Sequence, residues 1–141
     1  MWMVVWIVFL VGKGDKSMSE LNATTLDGAA RPEFWTEERC FITELMNSPD
    51  QPSASLALAR VEPGITTQLH ALDVLCETYT VRKGTGLVEI NGQVHRLNCG
   101  ESLMIPPGAS QRITNDGSGD LEFYCLCTPR FIANSYVNLE S

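Results

Sequence analysis

The sequence is short of positive charge, of long apolar runs and of histidine, and each shortage closes a class of function. Ten Lys and Arg stand against 17 Asp and Glu, a formal net charge of −7. Such a surface repels phosphate backbones, which argues against nucleic acid as a partner. The longest apolar stretch, "MWMVVWIVFLV" at residues 1–11, falls short of the roughly 20 residues that a membrane-spanning helix needs. No basic stretch precedes it and no small-residue cleavage site follows, so a secretory signal is poorly supported and no membrane partner is expected. Residues 1–17 read as an apolar extension: Met18 would serve as the start of a soluble protein, with a strand packing on the domain or on a partner, or a membrane tether, as the other readings. The five cysteines (Cys40, Cys76, Cys99, Cys125, Cys127) lack both the paired spacing of a metal finger and the even count of a disulfide framework. They suit a reducing compartment, and a cytoplasmic location is expected. At 141 residues the chain suits one domain, over 18–141.

What the sequence does contain is alternation. Two apolar runs flank "NSPDQP", which predicts two strands around a loop. From Ser55 onward the period is close to two in "SLALARV", "ETYTVRKG", "GLVEING", "QVHRLNCG", "SLMIPPG", "QRITNDG" and "LEFYCLCTP". Gly, Pro, Asn or Asp separate these segments, so an all-β sandwich or barrel is predicted. Asn91-Gly92 between "GLVEI" and "QVHRL" predicts a hairpin. The core is predicted to draw on Leu56, Leu58, Val61, Val81, Val88, Ile90, Leu103, Ile105, Ile113, Leu121 and Phe123. Gly84, Gly86, Gly92, Gly100 and Gly108 are expected to permit positive φ at turns. The tail "FIANSYVNLES" forms a short helix or wraps along the barrel, and the pattern leaves both open.

Two spaced motifs run through this region. Gly64, His70, Glu77 and Gly84 fit G-x5-H-x-H-x4-E-x6-G with Leu72 at the second histidine, and Gly100, Pro106, Gly108 and Asn115 fit G-x5-P-x-G-x2-H-x3-N with Gln111 at the third. The chain resembles the cupins over about Ser55 to Pro129. The resemblance implies a double-stranded β-helix, or jelly-roll barrel, with His70, Glu77 and Gln111 aimed into its mouth. Fold alone does not select among the isomerases, cyclases, oxygenases and non-enzymatic binders of that family.

An imidazole, a carboxylate and an amide oxygen offer three ligands to a divalent ion (Zn, Ni, Mn or Fe) and leave positions open for water or substrate. The bland alternative is that His70 and Gln111 bond each other or a ligand, with Glu77 held by a neighbouring donor. Tyr79, two residues beyond Glu77, shares its strand face and joins it as a candidate proton-moving group; packing in the core is the competing role. Leu72, Tyr79 and Gln111 are the expected substrate contacts, Leu72 as apolar wall. Cys125 and Cys127 share a face with Phe123, Cys76 points away from the site, and Arg112 points opposite to Gln111. His95 is expected on an exposed or half-buried strand face. Two functions emerge: a metal-dependent isomerase, cyclase or oxygenase acting on a small organic molecule, and a metal-free module that binds one. A homodimer is expected, because a small barrel leaves edge strands that need cover.

Overall fold

The computed structural model describes residues 23–27 and 31–140. The apolar run at 1–11, with Trp2 and Trp6, lies outside them. Among the described residues eleven strands form: β1 (Phe34–Trp35), β2 (Phe41–Ser48), β3 (Gln51–Val61), β4 (His70–Leu72), β5 (Cys76–Lys83), β6 (Gly86–Ile90), β7 (Gln93–Leu97), β8 (Ser102–Ile105), β9 (Gln111–Thr114), β10 (Leu121–Thr128) and β11 (Tyr136–Asn138). One sheet has the order β1-β2-β3-β10-β5-β8 and the other β11-β4-β9-β6-β7. The two inner faces meet over a core that includes Val61, Val81, Val88, Ile113, Leu121 and Phe123. Among the described residues no helix is long and apolar enough to cross a membrane.

The hairpin at Asn91-Gly92 forms with Ile90 opposite Gln93. Asn91 (φ 48°) and Gly92 (φ 79°) both sit in the left-handed region that this turn demands. The tail does both things the sequence allows. A single 3-10 turn at Ala133–Ser135 leads into β11, which pairs with β4 and lays Asn138 opposite His70.

Three local expectations are corrected. The strands run into the "NSPDQP" loop, leaving only Pro49 and Asp50 as the turn, where Asp50 N–H donates to Ser48 Oγ at 3.2 Å. Gly86 opens β6 without positive φ; a Cβ there would lie 2.8 Å from Ile113 Cδ1 and 2.9 Å from Leu121 Cδ2, so close packing excludes a side chain. Leu56 and Leu58 are half-buried and do not belong to the core, whereas Ser55 and Ala59 on the opposite parity are buried. In β3 it is mainly the small residues that line the cavity, joined by Leu56. Ser55, Ala57 and Ala59 leave room where larger side chains would fill the barrel, and a cavity opens beside them.

Candidate active site

Strands from both sheets build one cavity of about 220 Å³. The smaller sheet contributes His70 and Leu72 from β4, and the larger one contributes Glu77 and Tyr79 from β5 with Phe123, Cys125 and Cys127 from β10. Glu77 and Tyr79 share a face as their spacing requires, and so do Phe123, Cys125 and Cys127. Gln111 lies on β9 directly opposite His70.

The polar ends of His70, Gln111 and Glu77 meet in one buried chain. His70 Nδ1 lies 2.8 Å from the carbonyl oxygen of Gln68. A carbonyl only accepts, so Nδ1 carries the proton and Nε2 accepts from Gln111 Nε2 at 2.9 Å. The second hydrogen of that amide goes to Glu77 Oε2 at 2.7 Å. Gln111 Oε1 is left without a partner while the whole residue is 0% exposed. The imidazole is held on its flat side as well, stacked on Tyr136 at 4.7 Å, and Tyr136 donates its hydroxyl hydrogen to Gln68 Oε1 at 2.7 Å. The other motif polar group, Asn115, serves the fold: its amide donates to the carbonyls of Val61 and Gly119 at 2.9 and 2.8 Å.

Glu77 is 8% exposed, and burial pushes its carboxyl up to about 7. The Gln111 hydrogen bond and the Cys127 thiol, whose Sγ lies 3.8 Å from Oε1, pull the other way without matching the loss of water. Nearby Glu38 raises it further. Tyr79 is 4% exposed and tilts against Phe123 at 4.6 Å, but its hydroxyl makes no hydrogen bond with any described residue. Burial raises the phenol well above its ordinary value, so it stays protonated as a hydrogen-bond donor. Burial likewise pushes Cys40 and Cys127 up to about 12, which keeps them as thiols.

A divalent ion does not fit the donors in this arrangement. The lone pair of His70 Nε2 and one oxygen of Glu77 are both taken by the Gln111 amide hydrogens. The one amide atom able to ligate, Oε1, is not the atom turned toward them. Leu72 packs with Leu75, Cys127, Phe131 and Tyr136 and has nothing to donate. Among the described residues no group of three or more His, Cys, Asp and Glu converges to hold an ion.

Sequence reasoning missed Glu38. It lies between β1 and β2, lines the cavity and carries a carboxyl that burial raises, with His70 acting against the rise. The signal was present, because Thr36, Glu38, Cys40, Ile42 and Glu44 have one parity and all line the cavity. Arg82 and Arg112 point away, toward Glu122 at 3.5 Å and Glu89 at 2.8 Å. His95 is exposed on β7 and Cys76 does not reach the cavity.

The family model for the cupin domain matches residues 57–127. The chain belongs to the cupin domain family. An uncharacterised protein of Methanocaldococcus jannaschii, MJ1618, is 30% identical over 100 residues, spanning 70% of this cupin and 80% of that protein. Among solved structures, the Streptomyces nucleoside dehydratase Pac13 aligns with a TM-score of 0.71 at 18% identity, over 84% of this chain and 92% of its own. A predicted oxalate decarboxylase of Thermotoga maritima aligns at 0.68 with 20% identity, over 75% and 99%. KdgF from a Halomonas species aligns at 0.68 with 15% identity, over 78% and 96%. These structures share the all-β jelly-roll fold with this cupin.

Proposed function

We propose that this cupin is an enzyme that moves a proton on a small organic molecule, with Glu77 as the general acid–base group and Tyr79 as the donor that holds a substrate oxygen. The observation that carries the reading is a buried carboxyl lining a cavity that it shares with a phenol hydroxyl without a partner among the described residues. A group near 7 exchanges its proton at neutral pH, the condition that suits general acid–base catalysis. In an isomerisation, the Glu77 carboxylate takes a proton from the carbon next to a substrate carbonyl, and the electron pair moves onto the carbonyl oxygen. The Tyr79 hydroxyl donates to that oxygen and stabilises the charge that develops there. Where the substrate carries a double bond one carbon further on, Glu77 returns the proton to the far end of that double bond and the carbonyl re-forms; where it carries an oxygen on the β-carbon, the electron pair expels that oxygen, which leaves with the proton from Glu77. Gln111 steadies the ionised carboxylate, and His70 holds Gln111 in register.

The dehydratase named among the structural neighbours supports proton chemistry on this fold. Isomerisation or elimination is therefore preferred to oxygenation, which would need a redox-active centre among these donors. We also read the protein as a homodimer of a reducing cytoplasm, where its cysteines stay as thiols.

The test is exchange of carbon-bound hydrogen for deuterium in D₂O, followed by proton NMR on a panel of small aldehydes and ketones. The wild type, treated with EDTA, is expected to catalyse exchange on at least one of them, and Glu77→Gln to lose about 100-fold or more. Exchange that appears only when Zn, Ni, Mn or Fe is added, or that survives Glu77→Gln, would overturn the reading. No exchange with any panel member would favour a binding module.

A further inference from the structure

The cavity has more acids than bases. Glu38, Glu44 and Glu77 all line it against the one imidazole of His70, and among the described residues no lysine or arginine does. Two nearby arginines are paired with carboxylates outside the cavity, Arg39 with Glu140 at 2.7 Å and Arg60 with Glu33 at 2.6 Å, while Arg130 bonds the cavity-lining amide of Asn47 at 2.9 Å without lining the cavity itself. Glu38 is half-buried; its backbone carbonyl accepts from Gln68 N–H at 3.0 Å, but its carboxylate makes no hydrogen bond or salt bridge with any described residue and feels only the more distant His70. An unpaired, partly desolvated carboxylate costs free energy unless something cationic meets it.

Glu38 also stands at the mouth. It lines both the enclosed cavity and a shallower depression beside it, where Glu37, Phe131 and Tyr136 are its neighbours. Carboxylates with aromatic rings are the surroundings that an ammonium group prefers, through charge and through the negative face of the ring. The rest of the wall is mainly apolar and includes Tyr79, a side chain more than nine-tenths buried whose hydroxyl has no partner among the described residues. That hydroxyl is independent of the acidic mouth and is itself a feature that only a ligand completes.

We infer that the ligand of this site is a small amine with an apolar body, its ammonium at the mouth against Glu38 and its neutral oxygen-bearing end at Tyr79 and Glu77. Anionic ligands such as carboxylates and phosphates are rejected, because no lysine or arginine in the wall offsets three glutamates. The inference rests on the proposed function for its inner end and adds the charge of the substrate.

The test uses benzylammonium, benzyl alcohol and benzoate, which share a ring and differ in charge. Binding is followed by proton–carbon NMR of the Tyr79 and Phe123 rings in the wild type and in Glu38→Gln. Benzylammonium is expected to bind at least 10-fold more tightly than benzoate, and Glu38→Gln to remove that preference while leaving benzyl alcohol unchanged. Benzyl alcohol or benzoate binding as tightly as benzylammonium would sink the amine inference and leave the proposed function standing. If no probe moves the cavity signals, the ligand-binding reading of the cavity falls together with the inference. The comparison of three probes on the wild type decides the question even if Glu38→Gln fails to fold.

Discussion

Glu77, the proposed acid–base group, also bears on stability. Its folded value of about 7 lies above the ordinary 4.5, so between those two values the folded chain holds a proton that the unfolded chain has released. The stabilisation is complete below about 4.5 and is lost as the pH rises through 7. Glu77→Gln, which cannot ionise, is expected to be more stable than the wild type at pH 8, by up to about 3 kcal/mol, and to differ little at pH 5. Urea unfolding at the two pH values measures this. Gln111→Leu acts in the opposite direction, because it leaves His70 Nε2 and Glu77 Oε2 buried without their donor. A loss of about 1–3 kcal/mol for each such group is expected, larger at pH 8 than at pH 5, with the Glu77 value moving further up. The motif spacing was enough to bring His70, Glu77 and Gln111 together. It did not disclose that the amide of Gln111, with two hydrogens to give, would serve both neighbours. Amide orientation depends on which imidazole nitrogen the Gln68 carbonyl claims, a contact that spacing does not encode.

At the scale of elements, alternation located β2, β3 and β5 to β10 because the turns between them carry Gly, Pro, Asn or Asp, and it missed the two- and three-residue strands β1, β4 and β11, too short to show a period. It failed to say that small residues of β3 face inward, since hydrophobicity favoured Leu58, which does not line the cavity, while Ser55, Ala57 and Ala59 do, together with the half-buried Leu56. A binding site needs space, and a pattern argument built on filling the core reads that space with the wrong sign. The β4–β5 connection holds a second departure from local rule. Val74 is a β-branched residue at φ 60° and 77% exposed, a conformation disfavoured by about 1–2 kcal/mol. Its neighbours are pinned, Asp73 N–H to the Ser135 carbonyl at 2.8 Å and Gly108 N–H to the Leu72 carbonyl at 2.9 Å. Val74→Gly is expected to raise the melting temperature by a few degrees, the sign that relief of φ strain outweighs the added unfolded-state freedom. Calorimetry showing a lower melting temperature would mean that the Val74 side chain holds this loop in place.

The whole molecule leaves edges that invite a partner. β1 ends one sheet with Phe34 and Trp35 at 49% and 53% exposed, and β7 ends the other with Val94 at 60%. Covering such edges is the common reason for small barrels to pair, and a dimer is expected by light scattering at micromolar concentration. A monomer throughout that range would remove the homodimer from the account. The central claim also concerns the intact molecule: burial between the two sheets, without an ion, keeps the proton of Glu77 within reach of neutral pH. The direct measurement is a ¹³C NMR titration of the Glu77 carboxyl in chelator-treated protein, assigned by its loss in Glu77→Gln, before and after addition of Zn or Mn. A midpoint near 7 that the metal leaves in place is the expected result. A midpoint at the ordinary 4.5, or one that stoichiometric metal drives sharply downward, would contradict it.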